Sequence, residues 1–182
     1  RVVRGECRAE LVVVGEDFRF GHQREGSVEL LRTLGVSYDF ETVAFGIQGS
    51  SQRWSSSAVR SCLAEGDLLG AADVLGRPFT LSGLVVRGDR RGRELGYPTA
   101  NLEVGEHQAI PAIGIYAGAA QTADRSWHAA AISVGTRPQF YDNGALLVEV
   151  HLPGFSGDLY GQRFDVTFLE RLRGEMTFSS VE

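Results

Sequence analysis

The chain has 182 residues and a mass of 19.8 kDa, room for one large domain or for a small domain with part of another. With 43% hydrophobic and 23% charged residues it reads as globular and not disordered; no apolar run approaches the roughly 20 residues that span a bilayer, and no secretory signal is visible. A formal charge of −5 and a pI near 5.4 leave no basic face from which a nucleic-acid partner could recover counterion-release energy, whereas a small phosphorylated ligand needs only a local cationic pocket.

From the amino terminus, Leu11 to Val14 is an apolar strand-like run ending at Gly15, followed by the loop Glu16 to Gly26. Ser27 to Gly35 has helical spacing with a glycine stop, and Val36 to Phe45 alternates like a second strand. Ser55 or Ser56 can cap a helix through Val59 and Leu63, and Asp67 can cap another ending at Leu75-Gly76. Strand, helix, strand, helix is an α/β pattern, with helices expected beside a small parallel sheet. Past a seam near Gly76-Arg77-Pro78 the rhythm changes to strands: Leu81 to Arg87, Gly114 to Ala120, Trp127 to Val134, Ala145 to Leu152 and Arg163 to Leu169, with turn residues between. Five or six short antiparallel strands predict a closed or partly closed barrel, so the fold expected overall is α+β.

All 18 basic residues are arginine. Any phosphoryl transfer must therefore proceed without the lysine of a Walker loop or of a protein kinase strand. Cys7 and Cys62 stand far apart with no second pair, which points to neither a zinc site nor a disulfide framework and suits a reducing cytoplasm. His22, His107, His128 and His151 are isolated and form no metal-binding cluster.

Gly83 to Asn101, GLVVRGDRRGRELGYPTAN, is the most informative stretch. A strand runs into a loop punctuated by Gly88, Gly92 and Gly96, where bare backbone N–H groups can approach an anion. Arg90, Arg91 and Arg93 add charge-assisted donors suited to phosphate. Thr99 and Asn101 carry hard oxygen donors that share a face if the segment is extended, which beside a phosphate loop suggests magnesium. A generic glycine-rich loop is more often an arginine-decorated hairpin. The full string decides differently: Gly88, Gly92, Arg93, Leu95, Gly96, Tyr97, Pro98, Thr99, Ala100 and Asn101 match G-x-x-x-G-R-x-L-G-[FY]-P-T-A-N position by position, and this resembles the signature of the riboflavin kinase family.

That resemblance implies a Greek-key β-barrel that uses ATP and Mg2+ to phosphorylate riboflavin to FMN. Gly88, Gly92, Arg93, Gly96, Tyr97, Pro98, Thr99 and Asn101 are implied nucleotide contacts, with Thr99 and Asn101 also on the metal. Glu149, in Val148-Glu149-Val150-His151, is by pattern alone as much a solvent-facing strand glutamate as a functional one. By resemblance it is the general base for the ribityl 5′-hydroxyl. Further segments match in order: Pro111 to Tyr116, Ser133 to Phe140, Asp158 to Gly161, and Leu172 to Phe178, whose Arg173, Glu175 and Phe178 are the implied flavin contacts. Gln139 departs from the usual threonine.

The amino-terminal half resembles the FMN adenylyltransferase module of bacterial bifunctional riboflavin kinase/FMN adenylyltransferase, or FAD synthetase. Val14-Gly15-Glu-Asp17-Phe18-Arg19-Phe20-Gly21 matches one of its segments, and Ser55-Ser56-Ser57-Ala-Val-Arg60 another, where a helix start can attract nucleotide phosphate. The H-x-G-H motif of that module is not present. Expected, then, are a truncated Rossmann-like adenylyltransferase segment over 1–76 and a riboflavin kinase domain over 77–182 without its final helix. Such a fragment makes FMN and not FAD, although its parent makes both. The partners implied are riboflavin, FMN, ATP and ADP, with no nucleic acid and no membrane; homo-oligomerisation of the parent stays open. Two rivals remain, a flavin-binding module without turnover and a working nucleotidyltransferase.

Overall fold

The computed structural model describes residues 2–46, 54–88, 97–136 and 146–176, and divides into two compact units, Arg1–Trp54 and Ser55–Glu182. In the first, β1 (Leu11–Gly15) and β2 (Glu41–Phe45) pair in parallel, Leu11 opposite Glu41 through Gly15 opposite Phe45. Parallel strands need a crossover, supplied by α1 (Val28–Tyr38). Ser27 caps it by accepting from the Leu30 N–H, and it runs through Gly35 to end at Asp39, whose φ of 58° is left-handed. The strand expected from Val36 is thus helical as far as Tyr38, and only Glu41–Phe45 is extended. A capped helix tolerates one interior glycine at a cost of about 1 kcal/mol, so Gly35 does not stop it. Beyond the helix, Arg4 donates to Asp39 at 3.1 Å.

The second unit opens with α2 (Ser56–Glu65) and α3 (Leu68–Leu75). Ser55 is the cap of α2, its hydroxyl accepting from the Ala58 N–H at 3.1 Å, and Asp67 caps α3 through Gly70 N–H at 2.9 Å. Gly66 and Gly76 end the two helices at φ of 76° and 70°, a conformation a side chain would strain. Both helices belong to the same compact unit as the barrel, whereas the sequence pattern groups them with the parallel sheet. Cys62, Leu63, Leu68 and Ala71 lie in the same buried cluster as the barrel side chains. Arg171 ties the joint, donating to Glu65 O at 3.2 Å and Ile113 O at 2.9 Å, while Ala112 N–H bonds Leu63 O at 2.8 Å.

Six antiparallel strands close the barrel: β3 (Thr80–Val86), β4 (Thr99–Val104), β5 (Gly114–Gln121), β6 (Trp127–Thr136), β7 (Leu146–His151) and β8 (Arg163–Arg173), in the order β3-β4-β7-β6-β5-β8. Closure leaves no free edge among them. Alternate residues fill the interior: Leu81 and Val85, Ala100 and Leu102, Ile132 and Val134, Val148 and Val150, and Phe164, Val166 and Phe168, with the Tyr116 ring edge-on to Phe168 at 5.3 Å. Burial raises the Tyr116 pKa, and its hydroxyl donates to the Ala112 carbonyl. β4 is the strand missing from the expected set, although Thr99 to Val104 alternates polar and apolar residue by residue; its first three residues also close the glycine-rich stretch, which masks the strand.

Candidate active site

With Val148 and Val150 directed into the barrel, Glu149 and His151 must face outward, since successive side chains of a strand alternate. The same logic turns Thr99 and Asn101 outward beside the inward Ala100 and Leu102. Register then brings the predicted residues together. Asn101 is directly opposite Glu149, and Thr99 directly opposite His151. On the other side of β7, Glu149 is opposite Ser133, which is opposite Ile115, which is opposite Arg173; beyond Asn101 lies Val86. One row, Arg173–Ile115–Ser133–Glu149–Asn101–Val86, therefore crosses all six strands. At a strand spacing of about 4.8 Å, Asn101 is one step from Glu149 and Arg173 is three steps away on the other side.

Asn101 is only 5% exposed although it faces away from the core. Part of its cover is Gly88, just beyond β3: a Cβ there would lie 1.9 Å from Asn101 Nδ2 and 2.5 Å from its Cγ, so only glycine permits this approach. On the opposite flank, Glu175 rests against Gly135, where an added Cβ would meet its Oε1 at 3.2 Å. Gly135 is two residues from Ser133 on the same face of β6. Arg173 donates to the Gly174 carbonyl at 3.2 Å. Tyr97 is 67% exposed, with its ring edge-on to His151 at 5.7 Å, and His151 Nδ1 lies 2.9 Å from the Pro98 carbonyl.

The outer face of β4 and β7 thus offers a half-buried carboxylate between two neutral oxygen donors on one side and Arg173 with Glu175 on the other. Thr99 and Asn101 are hard donors in too small a number to cage a cation alone; they fit magnesium, which keeps few protein ligands and takes the rest from water and phosphate. The described residues contain no cluster of three or more His, Cys, Asp or Glu able to hold a metal. Gly92, Arg93, Gly96 and Phe178 lie outside the described residues, as do Arg90, Arg91, Pro138, Gln139 and Phe140. Two hollows on the described barrel surface, one lined by Ser82, Arg125 and Arg163 and the other by Ser82, Glu103 and Arg163, include none of the predicted site residues. Sequence reasoning missed the part of Ser133 and Gly135 as neighbours of Glu149. Only register could reveal it, because strand β7 pairs with β4 across 41 intervening positions, 105–145, and with β6 across a loop.

The other predicted residues fall into the two units separately. In the first, Asp17 and Phe18 follow β1, Phe18 stacks on Phe20 at 5.8 Å, Arg19 is exposed, and Gly21 adopts φ of 76° where the short turn His22–Arg24 begins. In the second, Ser55 caps α2, Ser56 is its first residue and Arg60 points to solvent.

A riboflavin kinase family model matches residues 75–182, and an FAD synthetase model matches residues 1–58. The bifunctional riboflavin kinase/FMN adenylyltransferase of Pseudomonas fluorescens is 38% identical over 170 residues, 93% of this chain and 54% of that protein. The Escherichia coli K12 protein of the same name is 38% identical over 176 residues, 96% of this chain and 56% of its own. The chain spans about half the length of these relatives. A crystal structure from Streptococcus pneumoniae, described as a macrolide-efflux protein, superimposes with a TM-score of 0.75 at 32% identity, covering 95% of this chain and 55% of that one. Among the described residues no helix is long and apolar enough to cross a membrane. With its match spanning well over half the sequence, the chain belongs to the riboflavin kinase family.

Proposed function

We propose that this chain transfers the γ-phosphoryl group of ATP to the 5′-hydroxyl of riboflavin, giving FMN and ADP. The observation that carries the reading is the pairing of Glu149 directly opposite Asn101, with Thr99 on the same face two residues before it. Glu149 takes the proton of the ribityl hydroxyl as its oxygen bonds to phosphorus and the bond to the ADP oxygen breaks. Gly88 and the arginine-rich loop after it hold the phosphates. Magnesium, held by Thr99 and Asn101 with those phosphates, supplies charge neutralisation. Arg173 and Glu175, on the other flank, hold the flavin, with Phe178 as a further flavin contact. Positioning and electrostatics suffice for such a transfer, so the lack of lysine is no obstacle.

In the same reading, 1–76 derives from an adenylyltransferase domain and 77–182 is the kinase domain; family matches that stop at residue 58 and resume at 75 support two modules, while α2 and α3, within 1–76, pack into the barrel's compact unit. The parent also adenylylates FMN to FAD, while this stretch, without H-x-G-H, does not. Cys7 and Cys62 are both unbridged, which supports a cytoplasmic setting.

The test is incubation of the purified chain with riboflavin, ATP and magnesium, with and without chelator, followed by chromatography of the flavins. FMN formed only with magnesium, and no FAD, is the expected result. Flavin binding with no ADP release by a folded chain would refute the transfer and leave a binding module.

A further inference from the structure

His151 has no role in the transfer described above, yet it is the residue through which β7 grips the turn leading into β4. Its Nδ1 is 2.9 Å from the Pro98 carbonyl oxygen. A carbonyl can only accept, so Nδ1 carries the hydrogen and donates it. The same ring meets the edge of Tyr97 at 5.7 Å with an interplanar angle of 74°. Tyr97 is 67% exposed, so burial does not fix its ring; the imidazole is what it packs against. Thr99, next after Pro98, is paired by register with His151 itself, and Asn101 with Glu149. Two residues of one β7 face thus stand opposite Asn101 and Thr99, and His151 in addition bonds the carbonyl just before Thr99.

Resting on the kinase reading, we propose that His151 is a positioning residue for the nucleotide and its magnesium. Its Nδ1–H pins the Pro98–Thr99 peptide and its ring props Tyr97, so that Thr99 leaves the turn with its hydroxyl on the face shared with Asn101. The imidazole touches neither riboflavin nor the transferred group, and its effect falls on nucleotide and metal affinity more than on the chemical step.

Three substitutions separate this role from simple packing. In His151→Asn the side-chain Nδ2 stands where the imidazole Nδ1 stood, and in His151→Gln the nitrogen is placed one bond farther, at the position of Nε2. The expected result for His151→Ala and His151→Gln is a five- to tenfold rise in KM for MgATP and in the magnesium concentration at half-activity, about what one neutral hydrogen bond contributes. For both, kcat at saturation and KM for riboflavin stay within about twofold, since the lost bond acts on ground-state binding. His151→Asn is expected to recover most of the affinity. Thermal unfolding is followed alongside, and if His151→Ala does not fold, the Asn and Gln comparison decides. Equal behaviour of Asn and Gln, or a loss confined to kcat or to riboflavin affinity, would overturn the proposal. FMN formation by the unsubstituted chain is scored first, because its failure defeats the kinase reading itself. In that same protein, nitrogen NMR of His151 reports the tautomer independently of turnover: hydrogen on Nδ1 supports the bond to Pro98, and hydrogen on Nε2 alone overturns it.

Discussion

Gly88→Ala tests the site most sharply, because the structure states what the new methyl group meets. Gly88 has no left-handed φ to lose, so the substitution acts through space alone. The added Cβ arrives 1.9 Å from Asn101 Nδ2 and 2.9 Å from Oδ1. Restoring ordinary contact moves the amide by roughly 1.5 Å, given an optimal carbon contact near 3.5 Å. A misplacement of about 1 Å in a catalytic constellation costs on the order of 10²-fold, so kcat/KM for riboflavin phosphorylation should fall by about that factor. The assay is initial-rate FMN formation across a magnesium series for Gly88→Ala, Asn101→Ala and the double variant. With the amide removed, the methyl group has nothing to displace, so the double variant should be no worse than Asn101→Ala. That is strong non-additivity for two residues in contact. Wild-type activity in Gly88→Ala, or penalties that simply add in the double variant, would refute the claim that Gly88 matters by making room for Asn101.

Three further outcomes follow from the same geometry. Glu149→Gln should lower kcat by about 10²- to 10⁴-fold, as loss of a general base does, while riboflavin affinity measured by flavin fluorescence changes little; undiminished turnover would remove Glu149 from that role. Phe168→Ala, which strips the ring between Tyr116 at 5.3 Å and Phe79 at 6.0 Å, should destabilise the barrel by about 3–5 kcal/mol in urea unfolding. A loss below about 1 kcal/mol would mean the core closes over the gap. Asp124, in the turn between β5 and β6, has its pKa lowered from 3.8 to about 2 by hydrogen bonds from the Thr122 hydroxyl, the Ser126 N–H and the Ser126 hydroxyl. Its folded pKa lies below its unfolded one, so its contribution to stability is complete above about pH 4 and fades as pH falls through 2. A carboxyl titration of Asp124 by NMR with a midpoint near 3.8 would contradict the turn geometry.

The barrel was legible in the sequence wherever inward positions carried large apolar side chains, as in Val148 and Val150 or Phe164, Val166 and Phe168. It was least legible at β4, the strand that carries Thr99 and Asn101: its polar and apolar residues alternate, but its first residues directly follow the glycine-rich stretch and read as the close of that loop. Helices α2 and α3 were readable from their Ser55 and Asp67 caps, which are local, whereas their membership of the barrel's unit depends on long-range contacts such as Arg171 with Glu65 and Ile113. Val36 to Tyr38 shows the reverse failure: β-like side chains were overruled by a helix already nucleated at Ser27. Among site residues, chemistry singled out Asn101 and Glu149, but only pairing could show that they face each other, and nothing in composition hinted that Gly88 lies over Asn101.

The transverse row from Arg173 to Val86 also acts as proofreading for the fold. Side-chain direction has period two, so slipping β7 by a single residue against its neighbours would carry Glu149 into the barrel interior and expel Val148 and Val150 to solvent. An unpaired carboxylate in that interior costs several kcal/mol, on top of the apolar surface returned to water. Glu149, proposed as the proton acceptor, therefore also penalises each neighbouring misthreaded arrangement of its own strand. Replacing it by an apolar side chain would remove activity and, separately, remove a barrier against shifted registers, so such a variant could gain apparent stability while losing uniqueness of structure.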